Sequence, residues 1–176
     1  MKEKLEYLFK LEDNHKFDEA FEIYSEIYSK NKLDFEIWKY FYFFVWIAIE
    51  DAPNSFHEKI KISKLLQELF IEGQNNFKDN SEFNFIAGWT ASIFPYEYGE
   101  FDDMEKEGQK MLHYATLLEP ENEIYKMVYL ASISDNDDYR KSTVKAAPKV
   151  LETYSGNGSL NKYFRQVLYR VNKTSY

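Results

Sequence analysis

The stretch Phe17-Asp-Glu-Ala-Phe-Glu-Ile-Tyr-Ser-Glu-Ile-Tyr28 decides the fold class of this chain. Its apolar side chains recur every three or four positions, at residues 17, 20, 21, 24, 27 and 28. That spacing places them on one face of an α-helix, whereas a half-buried strand would alternate apolar and polar residues. The segment therefore predicts an amphipathic helix that packs against other helices through a largely aromatic face.

The same periodicity predicts helices along almost the whole chain. Asp34 is placed to cap the third helix, which ends before Pro53, and Pro148 is expected to kink or split the eighth. Turns are expected at Asp135–Asp138 and at Ser155–Ser159. The predicted helices cover about 5–11, 17–28, 35–48, 56–75, 83–94, 103–118, 124–131, 139–154 and 160–171. The chain is thus predicted to be all-α, with about eight or nine helices in a single domain over residues 1–176.

Short turns between successive helices require neighbours to lie antiparallel, which builds a stack of helical hairpins. Gly108, Leu112, Ala115 and Pro120 have a spacing that resembles the second helix of a tetratricopeptide repeat. Residues 85–88 could belong to the matching first helix, but the connection from 95 to 102 is too long for a regular repeat. Two architectures stay open at this point, namely irregular tetratricopeptide-like hairpins and a compact helical bundle.

Composition and charge exclude several classes of protein. The 176 residues contain no cysteine, which rules out disulfides, thiolate metal sites and a cysteine nucleophile. The net charge of −8 argues against a general nucleic-acid binder, whose phosphate contacts need clustered lysine and arginine. The longest apolar run, Tyr40–Ile49, is about half as long as a membrane span and predicts a buried helix. The first ten residues mix both signs of charge and do not resemble a signal peptide, so a cytoplasmic location without membrane contact is expected.

No motif in the sequence predicts catalysis or a cofactor. His15, His57 and His113 lie far apart, and none has a second histidine three or four positions away, as a helical metal site requires. Neither a glycine-rich phosphate loop nor a nucleophile elbow is present. The 30 acidic residues are best read as solvated surface. We therefore expect no enzymatic activity, no catalytic residue, no cofactor and no metal.

The most informative stretch is Trp89-Thr-Ala-Ser-Ile-Phe-Pro-Tyr-Glu-Tyr-Gly-Glu-Phe-Asp-Asp103. It combines aromatic side chains, which make good interface anchors, with carboxylates that would attract a basic partner. Trp89 and Phe101 are expected in the core. The loop tyrosines could contact a partner or simply belong to the loop. The candidate partner-binding residues are Tyr96, Glu97, Tyr98, Glu100, Asp102 and Asp103.

Three segments, at residues 85–99, 115–122 and 163–168, resemble small helical immunity proteins of bacterial polymorphic and contact-dependent inhibition toxins. The resemblance covers about half of the chain, and its motifs are aromatic and structural. It implies a cytoplasmic antitoxin that binds the C-terminal domain of its cognate toxin one-to-one and covers the active site. The implied toxin is a basic nuclease, such as an EndoU-type RNase. No residue roles are carried over, because the surfaces of such antitoxins diverge with the toxins that they match.

Other functions are compatible with the same sequence. A tetratricopeptide-like adaptor or chaperone would bind peptide segments in a groove lined by polar side chains such as Asn75, Asn76 and Asn84. A helical bundle that binds a small ligand or acts as an enzyme has only the scattered carboxylates in its favour. The aromatic surplus, 19% of the residues, could also bury a homodimer contact.

Overall fold

The computed structural model describes residues 2–134 and 136–169. Across these residues the chain forms ten α-helices and one 3₁₀ helix, Pro95–Glu97, and no strand. The α-helices are α1 (Lys2–Asp13), α2 (Phe17–Lys30), α3 (Phe35–Asp51), α4 (Asn54–Ile60), α5 (Ile62–Phe77), α6 (Ser81–Ile93), α7 (Phe101–Leu118), α8 (Glu123–Ser132), α9 (Asn136–Thr153) and α10 (Ser159–Leu168). The prediction of an all-α chain is confirmed.

The predicted number of eight or nine helices is wrong, because the helix expected over 56–75 is two helices. Lys61 separates α4 from α5 in a left-handed conformation, with φ of 53°. The apolar phase changes at this point: Phe56 and Ile60 share one face, but the buried stripe of α5 begins at Ile62. A break at Lys61 lets each helix turn its own apolar face inward, although a left-handed lysine is unfavourable.

Pro148 was expected to kink or split its helix, and the split is ruled out because α9 continues through it. A proline inside a helix removes the hydrogen bond to the carbonyl four residues earlier. Here that carbonyl belongs to Val144, which is 67% exposed, so water can reach it. The helix therefore tolerates the proline.

The two predicted turns have different outcomes. Gly158, with φ of 86°, lies in the turn between α9 and α10, and a Cβ there would lie 2.5 Å from a ring carbon of Phe9. The predicted tight glycine turn is confirmed. Of the turn expected at 135–138, Asp135 lies outside the described residues, whereas Asp137 and Asp138 belong to the first turn of α9. Residues 170–171 of the last predicted helix also lie outside the described residues.

The chain divides into two compact units. The first contains the residues up to Phe77 together with Gly156–Lys162, and the second contains Lys78–Ser155 and the described residues from Tyr163 onward. A compact unit need not be an independent folding unit, so the single domain over 1–176 stays a prediction. None of the helices described is both long enough and apolar enough to cross a bilayer.

The first unit is organised around the aromatic helix α3. Residues 41–46 are buried on every side, as the apolar run at 40–49 predicts, and α3 packs against α2 and α5. The indole Nε1 of Trp38 donates a hydrogen bond to the carbonyl of Leu69 at 2.9 Å, and the rings of Tyr24 and Phe41 stack 5.6 Å apart. A helix that is apolar all round is stable only when it is surrounded in this way.

A buried carboxyl group links separate parts of the first unit. Glu12 accepts a hydrogen bond from the hydroxyl of Tyr24 at 2.5 Å and another from the backbone N–H of Ser159 at 2.8 Å. Burial raises the pKa of Glu12 above its usual value, although the two hydrogen bonds act in the opposite direction. Glu12 thereby holds the start of α10 against the end of α1.

The second unit is organised around the hairpin of α6 and α7. Ser81, at the start of α6, donates its hydroxyl to Glu119, just after the end of α7, so the two helices run antiparallel. Helix α7 also packs against α8, and α8 packs against α9. From α10, Phe164 lies between the rings of Phe85 and Tyr154, at 5.3 Å and 5.0 Å.

Candidate functional site

The predicted partner-binding residues lie on the connection between α6 and α7 and on the first turn of α7. Tyr96 and Glu97 belong to the 3₁₀ helix, and Tyr98 follows it. Tyr96 is 59% exposed, whereas Glu97 and Tyr98 are half-buried. The connection therefore exposes Tyr96 to solvent more fully than Tyr98.

Local hydrogen bonds explain why the connection has this form. Pro95 is buried and begins the 3₁₀ helix, where its fixed φ is favourable and its missing N–H costs nothing. The backbone N–H groups of Tyr98 and Gly99 both donate to the carbonyl of Pro95, at 3.0 Å and 3.3 Å. Glu100 is then extended and precedes α7, but its side chain makes no capping hydrogen bond. Its carboxylate is exposed.

The acidic residues after Glu100 are helical rather than part of a loop. The loop was expected to extend to residue 102 and the acidic–aromatic segment to 103, but α7 already begins at Phe101. Asp102 and Asp103 occupy its first turn, where carboxylates interact favourably with the helix dipole. Both are exposed. Stabilisation of the helix N-terminus is thus one reason why Asp102 and Asp103 occur here. The helix also fixes the direction in which their side chains project.

The expectation that Phe101 lies in the core is wrong, because its side chain is 53% exposed. Phe101 lies seven positions before Gly108 and so continues the buried stripe of α7, which includes Gly108, Met111 and Leu112. Gly108 faces Gly88 and Ser92, however, and α6 ends one residue later, at Ile93. No part of α6 reaches the level of Phe101. Trp89, also expected in the core, is half-buried, and its indole donates to the hydroxyl of Tyr163 at 3.2 Å.

Together these residues form a surface that we call the acidic–aromatic surface. It consists of Tyr96, Glu97, Tyr98, Glu100, Phe101, Asp102 and Asp103. Residues 93–107 contain six carboxylates and one lysine, in a chain of net charge −8. Among the described residues, Glu107 pairs with Lys110 at 3.5 Å, whereas Glu100, Asp102 and Asp103 make no ion pair. The surface therefore combines two exposed rings with uncompensated negative charge.

Two side chains next to this surface were not predicted from the sequence. Ile93, at the end of α6, is 42% exposed, and Glu105 is exposed one turn after Phe101. Residue spacing could have indicated Glu105, because positions four apart on a helix share a face. The exposure of Ile93 had no such signal, because the apolar periodicity of α6 places it with the core.

Of the three asparagines expected to line the groove of an adaptor, two are exposed and one is buried. Asn84 is buried, and its amide donates to the carbonyls of Lys78 and Asn80 at 2.7 Å and 2.8 Å. It satisfies backbone groups at the start of α6 and does not face a groove. Asn75 and Asn76, near the end of α5, are exposed.

The histidines serve structural contacts in the described part of the chain. His57 Nε2 lies 2.8 Å from the carbonyl of Ala48, and the ring of His113 stacks on Tyr129 at 4.7 Å. Over residues 2–134 and 136–169, no three histidine, aspartate or glutamate side chains are grouped so that they could hold a metal ion.

The acidic–aromatic surface places exposed rings beside exposed carboxylates. Exposed tyrosine and phenylalanine rings supply contact area with few rotamers to immobilise, and the carboxylates supply long-range attraction. In comparisons with known proteins, the chain matches no family model, no curated protein and no solved structure.

Proposed function

We propose that this chain is an immunity protein that binds the C-terminal domain of a cognate toxin and neutralises it by covering the active site. The observation that supports the proposal best is that exposed aromatic rings and carboxylates without ion pairs occur together in one short segment. The rings are Tyr96 and Phe101, and the carboxylates are Glu100, Asp102 and Asp103. In this proposal the partner is a basic nuclease domain, such as an EndoU-type RNase, bound one-to-one in the cytoplasm.

The physical argument begins with the charge that a nuclease carries. An enzyme that grips phosphates needs lysine and arginine around its active site. A strongly negative surface is steered toward such a site, with association rates up to about 10⁸–10⁹ M⁻¹s⁻¹ at low salt. The carboxylates of the acidic–aromatic surface would then occupy positions that the phosphates of RNA otherwise take.

Charge by itself does not give an antitoxin the affinity that it needs, because charges at the rim of an interface change the association rate more than the lifetime of the complex. A toxin must stay inhibited in the presence of its nucleic-acid substrate, so nanomolar affinity and an interface of about 1,600 Å² are expected. Buried aromatic anchors commonly contribute most of that affinity. Tyr96 and Phe101 fill this role in the proposal, and Tyr98 contributes at the edge.

A second candidate is an adaptor or chaperone with tetratricopeptide-like hairpins. It is favoured by the close contact of Gly88 with Gly108 in the α6–α7 hairpin, where small residues let two helices approach as they do in such repeats. The buried position of Asn84 weighs against the groove expected for it. An adaptor would bind several peptides with micromolar affinity, whereas an antitoxin binds one domain tightly.

The direct test is calorimetric titration of the purified protein into the toxin C-terminal domain encoded immediately upstream of its gene, inactivated by an active-site substitution. The proposal expects a one-to-one complex of nanomolar affinity whose association slows as salt is added. Absence of heat and of co-elution, with both proteins folded, would exclude that toxin as the partner and favour the adaptor. Sedimentation of the free protein shows whether it is a monomer or a homodimer.

A further inference from the structure

A cavity of about 340 Å³ opens beside the acidic–aromatic surface, within the second unit. Five helices line it, α6 to α10, and side chains of α6, α7, α8 and α10 supply most of its apolar walls. The wall residues are Trp89, Leu112, Met127, Val128, Val167 and Leu168. A cavity of this size and lining is large enough to accept an aromatic or branched aliphatic side chain from another molecule.

Two polar side chains that line the cavity are hydrogen-bonded within the protein. The hydroxyl of Ser92 donates to the carbonyl of Gly88 at 2.8 Å, and the amide of Gln109 donates to the carbonyl of Ser132 at 3.1 Å. Glu105 is the charged residue among those that line the cavity, and it is exposed, so it lies at the mouth. Within the described residues it makes no ion pair. The cavity therefore has an apolar interior and a negative entrance.

The entrance is continuous with the acidic–aromatic surface. Ile93 lines the cavity and lies two residues before the 3₁₀ helix that carries Tyr96. Glu105 lies one helical turn from Phe101 and Asp102, a separation of about 4.5–6 Å along α7. A peptide segment that contacts the acidic–aromatic surface thus needs to extend only a few ångströms to place a side chain in the cavity.

We propose that the cavity receives an apolar side chain from a lysine- or arginine-rich segment of the partner protein. Charge complementarity at Glu105 selects a basic segment, and the apolar walls select the side chain that enters. This inference rests on the proposed function for the origin of the segment, and it assigns the partner a sequence feature: an apolar residue flanked by basic residues on an exposed part of its surface.

The test uses three short peptides as probes, acetyl-Lys-Phe-Lys-amide, acetyl-Lys-Ala-Lys-amide and acetyl-Glu-Phe-Glu-amide. Binding is followed by the indole N–H resonance of Trp89, which lines the cavity, while the fully buried indoles of Trp38 and Trp46 serve as internal references. We expect Lys-Phe-Lys to shift Trp89 in a saturable way and each of the other two to bind at least about fivefold more weakly. Equal shifts from all three peptides, or none from Lys-Phe-Lys, would overturn the inference.

Two variants separate the apolar requirement from the charge requirement. Ala131 is exposed and lines the cavity, so Ala131→Phe should fill it without disturbing the core and abolish the Lys-Phe-Lys shift. Glu105→Gln should keep binding but reduce the preference for Lys-Phe-Lys over Glu-Phe-Glu. Val144→Phe, at an exposed site outside the cavity, is the matched control and should bind as the unmodified protein does. Thermal unfolding confirms that each variant is folded.

The toxin domain distinguishes failure of this inference from failure of the proposed function. If the domain binds and Ala131→Phe leaves its affinity within twofold, the cavity is not used, whereas the antitoxin role survives. If the Lys-Phe-Lys shift is found but no toxin domain binds, the cavity accepts basic apolar segments and the proposed function is wrong.

Discussion

Gly88 of α6 and Gly108 of α7 face each other where the two helices are closest. A Cβ built on Gly108 would lie 2.8 Å from the carbonyl oxygen of Gly88, 2.9 Å from the backbone nitrogen of Ser92 and 2.3 Å from its hydroxyl. A Cβ on Gly88 would lie 2.9 Å from the carbonyl oxygen of Gly108. The absence of both side chains allows the helices to pack at this distance. It also fixes how far the first turns of α7 extend past the end of α6.

Gly108→Ala is expected to lower the free energy of unfolding by up to about 2 kcal/mol. Alanine gains about 1 kcal/mol in helix propensity, but overpacking against fixed backbone atoms costs about 1–3 kcal/mol and forces the helices apart. Gly99→Ala is the control, because a Cβ there would meet only the side chain of Met104, at 3.4 Å. Urea unfolding should show unchanged or slightly raised stability for Gly99→Ala. A Gly108→Ala protein as stable as this control would contradict the close approach.

The buried carboxyl of Glu12 should make stability depend on pH. Because burial raises its pKa in the folded protein, Glu12 binds a proton more tightly when folded than when unfolded. The stabilisation from this group is therefore present below its unfolded pKa and is lost as the pH rises through the folded pKa.

Glu12→Gln isolates this effect, since other groups titrate alike in both proteins. As the pH rises from 4.5, the ordinary pKa of glutamate, the unmodified protein should lose stability relative to Glu12→Gln. Glu22→Gln, at an exposed position on α2, controls for the loss of one negative charge. If the free energies of unfolding of the unmodified and Glu12→Gln proteins change in parallel with pH, burial does not raise the pKa of Glu12.

Reversing the charge at Asp102 and Asp103 should slow association with a basic toxin domain about tenfold at low salt. The control reverses Glu121 and Glu152, which are exposed, and Glu121 lies beyond the opposite end of α7, about 27 Å along the helix. Stopped-flow rates should converge near 1 M salt, where the screening length is about 3 Å. Equal slowing by both pairs would mean that net charge matters and the acidic–aromatic surface does not.

Removing an aromatic ring should instead shorten the lifetime of the complex. Tyr96→Ala and Phe101→Ala are each expected to weaken binding by about 2 kcal/mol, roughly thirtyfold, mainly through faster dissociation. Leu117→Ala is the control, since Leu117 is as exposed, at 60%, but lies at the far end of α7. Surface plasmon resonance measures all three. An affinity within twofold of the unmodified protein for both aromatic variants would remove these rings from the interface.

Apart from the break at Lys61, the sequence by itself determined the helices, because their periodicity and caps are local. Asp34 accepts hydrogen bonds from the backbone N–H groups of Glu36 and Ile37 and so caps α3, as the sequence predicts. The glycine turn before α10 is equally local. Of the acidic–aromatic surface, the sequence identified six residues, because their composition was unusual, although it could not show which of them are exposed.

Only the tertiary structure decided which apolar positions are covered. Phe101 continues the apolar stripe of its helix and by periodicity belongs to the core, yet it is exposed because α6 ends at Ile93. Asn84 is polar, as a groove-lining residue is expected to be. Its side-chain amide instead donates hydrogen bonds to the backbone carbonyls of Lys78 and Asn80. The cavity beside Glu105 is lined by residues of five helices, from Trp89 in α6 to Leu168 in α10, so no single segment predicts it. Periodicity fixes the direction in which a side chain points, but only the length and position of the neighbouring helices determine whether anything lies in front of it.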